Sequence, residues 1–254
     1  MKLTILGCGT SSGVPRIGND WGSCDPKEPK NSRSRASIIV ETETTRILVD
    51  TSPDLREQLL INKIDAIDAV VWTHDHADHC HGIDDLRQLY HRTRRPVSGF
   101  ARAKTLESLQ TRFSYVFKGN SGYPATCVTA PLLDKMRIGD IEIETVDQPH
   151  GPITSAGLKF ISCNKSICYA TDFSKCTDKM LDLYKHCDIM VIDALREEPH
   201  PTHSHLEMSL EALQRIEPAK AVLTHMDKSM DYRSLQAMLP LDVNPAFDTM
   251  TLEI

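Results

Sequence analysis

Short runs in which hydrophobic and polar residues alternate recur along the chain, and a period of two is typical of β-strands. Lys2 to Leu6 predicts a first strand. After a polar loop at residues 14–36, Ser37 to Glu41 and Thr45 to Val49 predict a hairpin. Asp68-Ala-Val-Val-Trp72 is an apolar run of the type found in buried strands. The first part of the chain is therefore predicted to be rich in strands.

Other stretches place apolar residues three and four apart, which predicts amphipathic helices. These stretches are residues 84–91, 103–117, 174–186 and 206–216. A further helix is predicted after Asp50, with Ser52 as its N-cap and Pro53 at its first helical position.

From about residue 137 the alternation predicts strand after strand. A run beginning at Ile141 leads to His150, and residues 157–162 and 166–170 predict a hairpin around Cys163-Asn-Lys165. Two apolar strands, 188–193 and 219–223, alternate with the last two predicted helices. The chain has no internal repeat and no linker, so we predict a single domain over residues 1–254.

The composition narrows the class of protein. The chain has 254 residues, of which 40% are hydrophobic, and this is enough for a sizeable buried core. A net charge of −6 gives no global positive field to attract nucleic acid or an anionic membrane. No apolar run approaches the roughly 20 residues of a membrane helix, and the N-terminus lacks the pattern of a signal peptide. With eight scattered cysteines that read as reduced thiols, we expect a cytoplasmic protein.

The densest chemistry directly follows the apolar run that ends at Trp72. The segment Thr73-His-Asp-His-Ala-Asp-His79 has the form His-x-His-x-Asp-His. Residues two apart in an extended segment point the same way, so His74 and His76 can reach one metal ion. Asp78 and His79 come after the turn and can face a second ion. Neutral imidazole and carboxylate suit zinc, iron or manganese.

Three more potential ligands each follow an apolar strand: His150, Asp172 and His225. They share the structural context of the first cluster, so we interpret all of these residues as one set. One ion is assigned to His74, His76 and His150, the other to Asp78, His79 and His225, with Asp172 as a bridge. Cations roughly 3.5–4 Å apart can share a hydroxide and lower its pKa to near neutrality. The prediction is a site for two divalent ions, Zn²⁺ or Mn²⁺.

This order of ligands resembles that of the metallo-β-lactamase superfamily, and the resemblance covers nearly the whole chain. It implies an α/β (α+β) fold, a four-layer αββα sandwich with the metals at one edge. The opening Gly7-Cys-Gly-Thr-Ser-Ser-Gly-Val-Pro15 and the later His203-Ser-His-Leu206 are similar to the cyclic phosphodiesterases of phosphonate degradation. The tRNA 3′-processing nucleases are close relatives of those enzymes.

The resemblance also implies a proton donor outside the ligand set. In those relatives a histidine late in the chain protonates the leaving alkoxide, and the matching residue is His203. His200 and His205 compete for this role, and His205 is also a candidate for substrate binding. Asp78 is expected to act both as a ligand and as the group that orients the attacking water.

Two stretches near the N-terminus are candidates for binding an anion. Ser11 and Ser12 lie in a glycine-rich turn that can offer hydroxyl and backbone N–H donors, although the same sequence suits a plain turn. Arg33 and Arg35 can clamp a phosphate, or they belong to an exposed solvated face. Some relatives fold this loop around a structural zinc with several cysteines. Here the loop has only Cys24, so no structural zinc is expected.

The leading interpretation is a dinuclear metal-dependent phosphodiesterase. It would hydrolyse a small cyclic or nucleotide-like phosphodiester by attack of a metal-bridging hydroxide, with His203 as general acid. A tRNA 3′-processing endonuclease is an alternative, but the short interval from His150 to Asp172 carries little basic charge, so a large RNA is not expected. A thioesterase of the hydroxyacylglutathione type is another, although few residues follow His225 where that class has a helical domain. A homodimer is the family expectation.

Overall fold

The computed structural model describes residues 1–120 and 122–254, and strands occur along most of this length. In chain order the strands are β1 (Lys2–Gly7), β2 (Ser37–Glu41), β3 (Arg46–Val49), β4 (Ala69–Val71), β5 (Val97–Ala101), β6 (Cys127–Pro131), β7 (Lys135–Ile138), β8 (Ile141–His150), β9 (Ile153–Ser162), β10 (Lys165–Ala170), β11 (Ile189–Asp193), β12 (Lys220–Thr224), β13 (Val243–Pro245) and β14 (Thr251–Glu253). The predicted strands all form, with ends that shift by a few residues.

The strands pair into two mixed sheets. The first has the order β14-β1-β2-β3-β4-β5-β6, antiparallel from β14 to β3 and parallel from β3 to β6. The second has the order β13-β12-β11-β10-β9-β8-β7, parallel from β13 to β10 and antiparallel from β10 to β7. Parallel strands have their carboxyl ends at one edge of a sheet. The segments that follow β3 and β4 therefore lie at one edge of the first sheet, and those that follow β10, β11 and β12 lie at one edge of the second.

The α-helices are α1 (Leu55–Ile61), α2 (Ala77–Cys80), α3 (Leu86–Thr93), α4 (Ala103–Arg112), α5 (Ser114–Lys118), α6 (Asp178–Tyr184), α7 (Leu206–Ile216) and α8 (Tyr232–Met238), with short 3₁₀ turns at Pro29–Asn31 and Ile83–Asp85. Leucines of α1, α3 and α4 pack with the outer side chains of the first sheet. Apolar residues of α6, α7 and α8 pack with those of the second sheet. The result is the expected α/β arrangement of two sheets flanked by helices.

Alternation along the strands of the first sheet explains why both of its faces are buried. In β3, Ile47 and Val49 join the core between the two sheets, whereas Leu48 faces the helices. The second sheet fills the shared core from its own inner face, with Leu158 and Phe160 of β9 among its largest side chains. Successive side chains of a strand point to opposite faces, so a sheet buried on both sides needs apolar residues at nearly every position.

Three predicted helix boundaries were wrong. The predicted helix at 103–117 is broken at Phe113, whose backbone leaves the helical region with φ −123° and ψ 39°. The helix predicted to start at residue 174 begins at Asp178, because the Thr177 side chain caps it by accepting from Met180 N–H. The helix after Asp50 has Asp54 at its N-cap and excludes Pro53. The predicted cap, Ser52, instead accepts from the N–H of Asp54 and donates to Gln58.

Candidate metal centre

The candidate ligands meet where strand ends of the two sheets face each other. From the first sheet, β4 leads into the histidine segment, defined here as residues 73–81, which includes α2. From the second sheet, His150 ends β8, Asp172 follows β10 and His225 follows β12. A backbone hydrogen bond from Ala156 N–H to the carbonyl of Thr73 links the two sheets beside the site. The topology thus brings together residues that are far apart in the chain.

Backbone strain marks several of these strand ends. Asp50, Asp172 and His225 have positive φ angles of 64°, 54° and 59°. Left-handed backbone is costly for residues other than glycine, and Asp and His are among the types that adopt it more often. The side chains at these positions are directed by turns of the backbone, and such strain tends to cluster at functional sites.

The carboxylate of Asp172 lies at the centre of the arrangement. Its Oδ2 is 3.7 Å from Nε2 of His74 and 3.6 Å from Nε2 of His150. Its Oδ1 is 3.3 Å from Nε2 of His79 and 3.5 Å from Nε2 of His225. The two oxygens of one carboxylate therefore face two different pairs of imidazoles.

The remaining candidate ligands extend each pair. Nδ1 of His76 is 3.2 Å from Nε2 of His150, on the Oδ2 side of Asp172. Oδ2 of Asp78 is 3.3 Å from Nε2 of His79 and 3.4 Å from Nε2 of His225, on the Oδ1 side. Two groups that can hold a metal ion result, one of His74, His76, His150 and Asp172, the other of Asp78, His79 and His225. The sequence assigned the same residues to two ions, and the assignment of ions to these groups stays a prediction.

The buried polar atoms fit divalent cations. Nε2 of His74 and Nε2 of His79 are buried, and neither has a hydrogen-bond partner among residues 1–120 and 122–254. Buried imidazole nitrogens without partners are costly, and both atoms point toward the carboxylates that would share a cation with them. Imidazole and carboxylate together are a donor set for zinc or manganese. The residues present therefore fit the divalent ions that the sequence pattern implies.

Electrostatic interactions in the site shift the pKa values of its histidines in opposite directions. Burial alone would raise the pKa of Asp172, but His225 and His79 hold that pKa well below its usual range. Burial opposes the charged form of His225, yet Asp172 and hydrogen bonding to Asp78 raise its pKa to about 9. Burial and the nearby charge of His79 lower the pKa of His74 well below its ordinary value. The cluster is a tight network of opposite charges.

Asp50 is a site residue that the sequence analysis missed. Its Oδ2 is 2.7 Å from Nδ1 of His79 and 2.8 Å from the Thr73 hydroxyl, which in turn lies 3.0 Å from Nδ1 of His74. Its Oδ1 accepts from the Thr73 backbone N–H. One buried carboxylate thus orients one histidine of each group, as partners of metal-binding histidines commonly do. Its position directly after β3 was the available signal, since the other acidic site residues also follow strands.

His203 lies beside the ligand groups, and a second missed residue holds it. Nδ1 of His203 is 3.2 Å from Oδ2 of Asp193, the last residue of β11, and 3.7 Å from Oδ2 of Asp172. Asp193 and His203 also belong to a third group that can hold an ion, with Asp172 and His225. His200 lies further out, where its Nδ1 accepts from the N–H of Thr202. His205 is the N-cap residue of α7, and its Nδ1 is buried with no hydrogen-bond partner in the part of the chain that the structure describes.

The predicted phosphate clamp at Arg33 was wrong. Arg33 is 2% exposed, and its guanidinium donates to the backbone carbonyls of Asp227 and Met230. It therefore fastens the first loop to the segment that follows His225. Arg35 pairs with Asp54, its Nε 2.9 Å from the Asp54 carboxylate, so its charge is partly neutralised. A paired arginine can be buried where a free one cannot, and sequence spacing does not reveal the partner.

Ser11 and Ser12 remain exposed in the turn after β1. This turn lies beside the site, because Gly9 and Thr10 pair with Met226, the neighbour of His225. Their position is compatible with the predicted contact to an anion, and the binding itself stays a prediction.

The fold and the geometry of the site now define the class of protein. Residues 45–226 match the sequence profile of the family described as Beta-lactamase superfamily domain, which covers more than half of the chain. The chain belongs to the metallo-β-lactamase superfamily. This confirms the family that the histidine segment and the later strand-end ligands indicated.

Particular relatives refine the comparison. A crystal structure described as a new diphosphatase from the PhnP family is 34% identical, with a TM-score of 0.91 over 100% of this chain and 97% of that chain. The short form of human tRNase Z shares the fold at 17% identity, with a TM-score of 0.75 over 100% of this chain and 99% of the other.

Two curated relatives are longer than this chain. An octanoyltransferase of Porphyromonas gingivalis is 31% identical over 98% of this chain and 50% of its own length. An exodeoxyribonuclease WalJ of Streptococcus pneumoniae is 27% identical over 62% of this chain and 57% of its own length. The chain thus spans about half the length of the curated relatives it matches.

Proposed function

We propose that this protein is a phosphodiesterase that depends on two divalent ions, Zn²⁺ or Mn²⁺, and cleaves a small phosphodiester. The observation that carries the proposal is the placement of Asp172, whose two oxygens face separate groups of imidazoles. A carboxylate in that position suits a bridge between two cations, the arrangement used for in-line displacement at phosphorus. When bound, such ions supply Lewis acidity and a nucleophile at neutral pH.

The side chains of the site would bind the ions, orient the ligands and donate a proton. His74, His76 and His150 would hold one ion, and Asp78, His79 and His225 the other. Asp50 keeps His79 in the tautomer that leaves Nε2 free, because its carboxylate accepts the Nδ1 proton. Asp193 accepts from Nδ1 of His203, and when both ring nitrogens carry protons the Nε2–H of His203 would donate its proton to the leaving oxygen.

Several features favour a small substrate. The interval between His150 and Asp172 is filled by β9, β10 and their tight turn, with no inserted arm. The relative with 34% identity is described as a diphosphatase, and one curated relative as an exodeoxyribonuclease. Both descriptions concern phosphoryl transfer. The net charge of −6 and the short interval between His150 and Asp172 support a small phosphodiester over a long polyanion.

The test is hydrolysis of bis-p-nitrophenyl phosphate by protein loaded with Zn²⁺ or Mn²⁺. Asp172→Ala should abolish turnover, since it removes the group shared by both sets of ligands. The matched control is Asp178→Ala, an exposed carboxylate on α6 with a side chain 90% accessible, which should leave turnover unchanged. Absence of metal-dependent phosphodiester cleavage by the wild-type protein would overturn the proposal.

A second candidate is hydrolysis of an acyl thioester. It is favoured by one observation, the octanoyltransferase that aligns with 98% of this chain. The same two-ion site would serve an acyl carbonyl as well as a phosphoryl group. An octanoyl thioester assayed in parallel separates the candidates: cleavage of the thioester without cleavage of the phosphodiester would assign the site to acyl substrates.

A further inference from the structure

A single arginine contacts the histidine segment on both sides of α2, at Asp75 and at His81. Arg112, the last residue of α4, donates through Nη1 to the backbone carbonyl of Asp75, and this nitrogen lies 3.6 Å from the Asp75 carboxylate. Its Nη2 is 2.8 Å from Nε2 of His81. Asp75 stands between His74 and His76, and His81 follows α2. The guanidinium therefore spans the part of the segment that holds His76, Asp78 and His79.

Neighbouring groups reinforce this contact. The hydroxyl of Ser108, one turn earlier on α4, donates to the Asp75 carboxylate. The thiol of Cys80 donates to the Asp75 carbonyl, so one carbonyl receives donors from both sides. The guanidinium lies 5.2 Å from the ring centre of Phe113, and the same ring packs edge-on against His81. These contacts hold the planar guanidinium of Arg112 between Asp75 and His81.

His76 is the candidate ligand that most needs such support. Nδ1 of His74 meets a hydroxyl, Nδ1 of His79 meets a carboxylate, and Nδ1 of His150 meets the carbonyl of Thr202. The imidazole of His76 is exposed, and its recorded polar contact in the described part of the chain is to another candidate ligand, His150. Its orientation therefore depends on the backbone at Asp75 and Ala77.

We propose that Arg112 is a positioning residue for the metal centre, which fixes His76 through the backbone of Asp75 and closes the histidine segment against α4. The inference rests on the proposed function, because it assumes that the histidine segment binds metal. Preorganised ligands bind more tightly because less conformational freedom is lost on binding, and residues that orient ligands typically contribute about 10–100-fold in metal affinity.

The test measures metal binding without substrate. Zn²⁺ and Mn²⁺ affinities of the full chain are determined by competition with a chelator for wild type, Arg112→Gln and Arg112→Lys. The control is Arg92→Gln, an exposed arginine on α3 that pairs with Asp65. The absorption of bound Co²⁺ reports coordination geometry, and the Tm of the metal-free protein reports stability alone.

Arg112→Gln should weaken binding of one ion at least tenfold and change the Co²⁺ spectrum, while the metal-free Tm shifts no more than in the Arg92→Gln control. Arg112→Lys should also weaken binding, since a point charge cannot reach Asp75 and His81 together. Ser108→Ala provides a milder variant if Arg112→Gln does not fold. Unchanged affinity and spectrum in every variant would overturn the role of Arg112 alone. Failure of the wild-type protein to bind any divalent ion would overturn the proposed function as well.

Discussion

At the scale of single residues, the site depends on which nitrogen of each histidine is held. Two carboxylates, one hydroxyl and one backbone carbonyl contact the Nδ1 atoms of four histidines, so the Nε2 atoms remain for a cation or substrate. These histidines are His74, His79, His150 and His203. Asp50, which follows β3 of the first sheet, and Asp193, which ends β11 of the second, supply two of these partners. A histidine without such a partner can rotate, and its usefulness as a ligand or acid falls accordingly.

The role of His203 leads to a prediction at this scale. His203→Asn should lower kcat about 10²–10⁴-fold for a phosphodiester with an alkyl leaving group, because general acid catalysis is lost. The loss should be far smaller for a p-nitrophenyl leaving group, which departs without protonation. Comparing kcat for the two substrates measures the effect.

The control for this prediction is His200→Asn, which removes a histidine further from Asp172 and should affect both substrates little. Equal losses for the two leaving groups in His203→Asn would contradict the role of proton donor and point to substrate binding instead. Metal content should be unchanged in both variants.

At the scale of elements, a two-residue turn sets the register of β9 and β10 in the second sheet. Cys163 and Asn164 join β9 to β10 with φ angles of 50° and 61°, and Ser162 pairs directly with Lys165. Two positive φ values in a two-residue turn match the right-handed twist of the strands, and Asn or Gly is preferred there. The sequence placed this hairpin correctly, although Cys is not a preferred residue for such a turn.

This turn can be improved. Cys163→Asn should raise the free energy of unfolding by about 0.5–1 kcal/mol, because asparagine tolerates left-handed backbone better than cysteine does. Unfolding in urea with constant m-value measures the change. The comparison variant is Cys163→Val, whose branched side chain should destabilise the hairpin. A gain in stability with valine, or a loss with asparagine, would refute the assignment of strain to this residue.

At the scale of the whole molecule, segments next to the two sheets each contribute a carboxylate and an imidazole to one buried site. Asp78 and His79 lie in α2, after β4 of the first sheet, and Asp172 and His225 follow β10 and β12 of the second. Burial opposes the charge on His79, but Asp172 and Asp78 raise its pKa well above the ordinary value, and the pKa of His225 is raised to about 9. The imidazole of His225 is therefore protonated at pH 7 before an ion binds, and the pKa of His79 is shifted in the same direction.

Metal binding should consequently release protons. A proton must leave His225 before its Nε2 can bind a cation, so apparent affinity should rise between pH 7 and its pKa of about 9, by up to about tenfold per pH unit for that proton. Calorimetric titration with Zn²⁺ in buffers of different ionisation enthalpy counts the protons. An affinity that is independent of pH in this interval would contradict the protonation described here.

No helix in the described parts of the chain, residues 1–120 and 122–254, is long and apolar enough to span a membrane.

Both sheets share one continuous hydrophobic core, and the site lies at the rim of that core. The metal groups therefore depend on the packing of the two sheets against each other, which sets the distance from the histidine segment to His225.

The sequence by itself determined the residue types of the site and their places at strand ends. A period of two identifies a strand from local residues alone, and the spacing of His74, His76, Asp78 and His79 is local as well. The assignment of these ligands to two ions came from the same pattern and stays a prediction. These features are encoded over short stretches, so they can be predicted without knowing the fold.

Only the tertiary structure decided how distant residues meet. The two oxygens of Asp172, the contact of Asp193 with His203, the burial of Arg33 and the bridge made by Arg112 all join residues from separate elements. Such contacts depend on the twist and packing of both sheets. A charged side chain reveals its partner only when the chain has folded around it, because burial and pairing are properties of the assembled core.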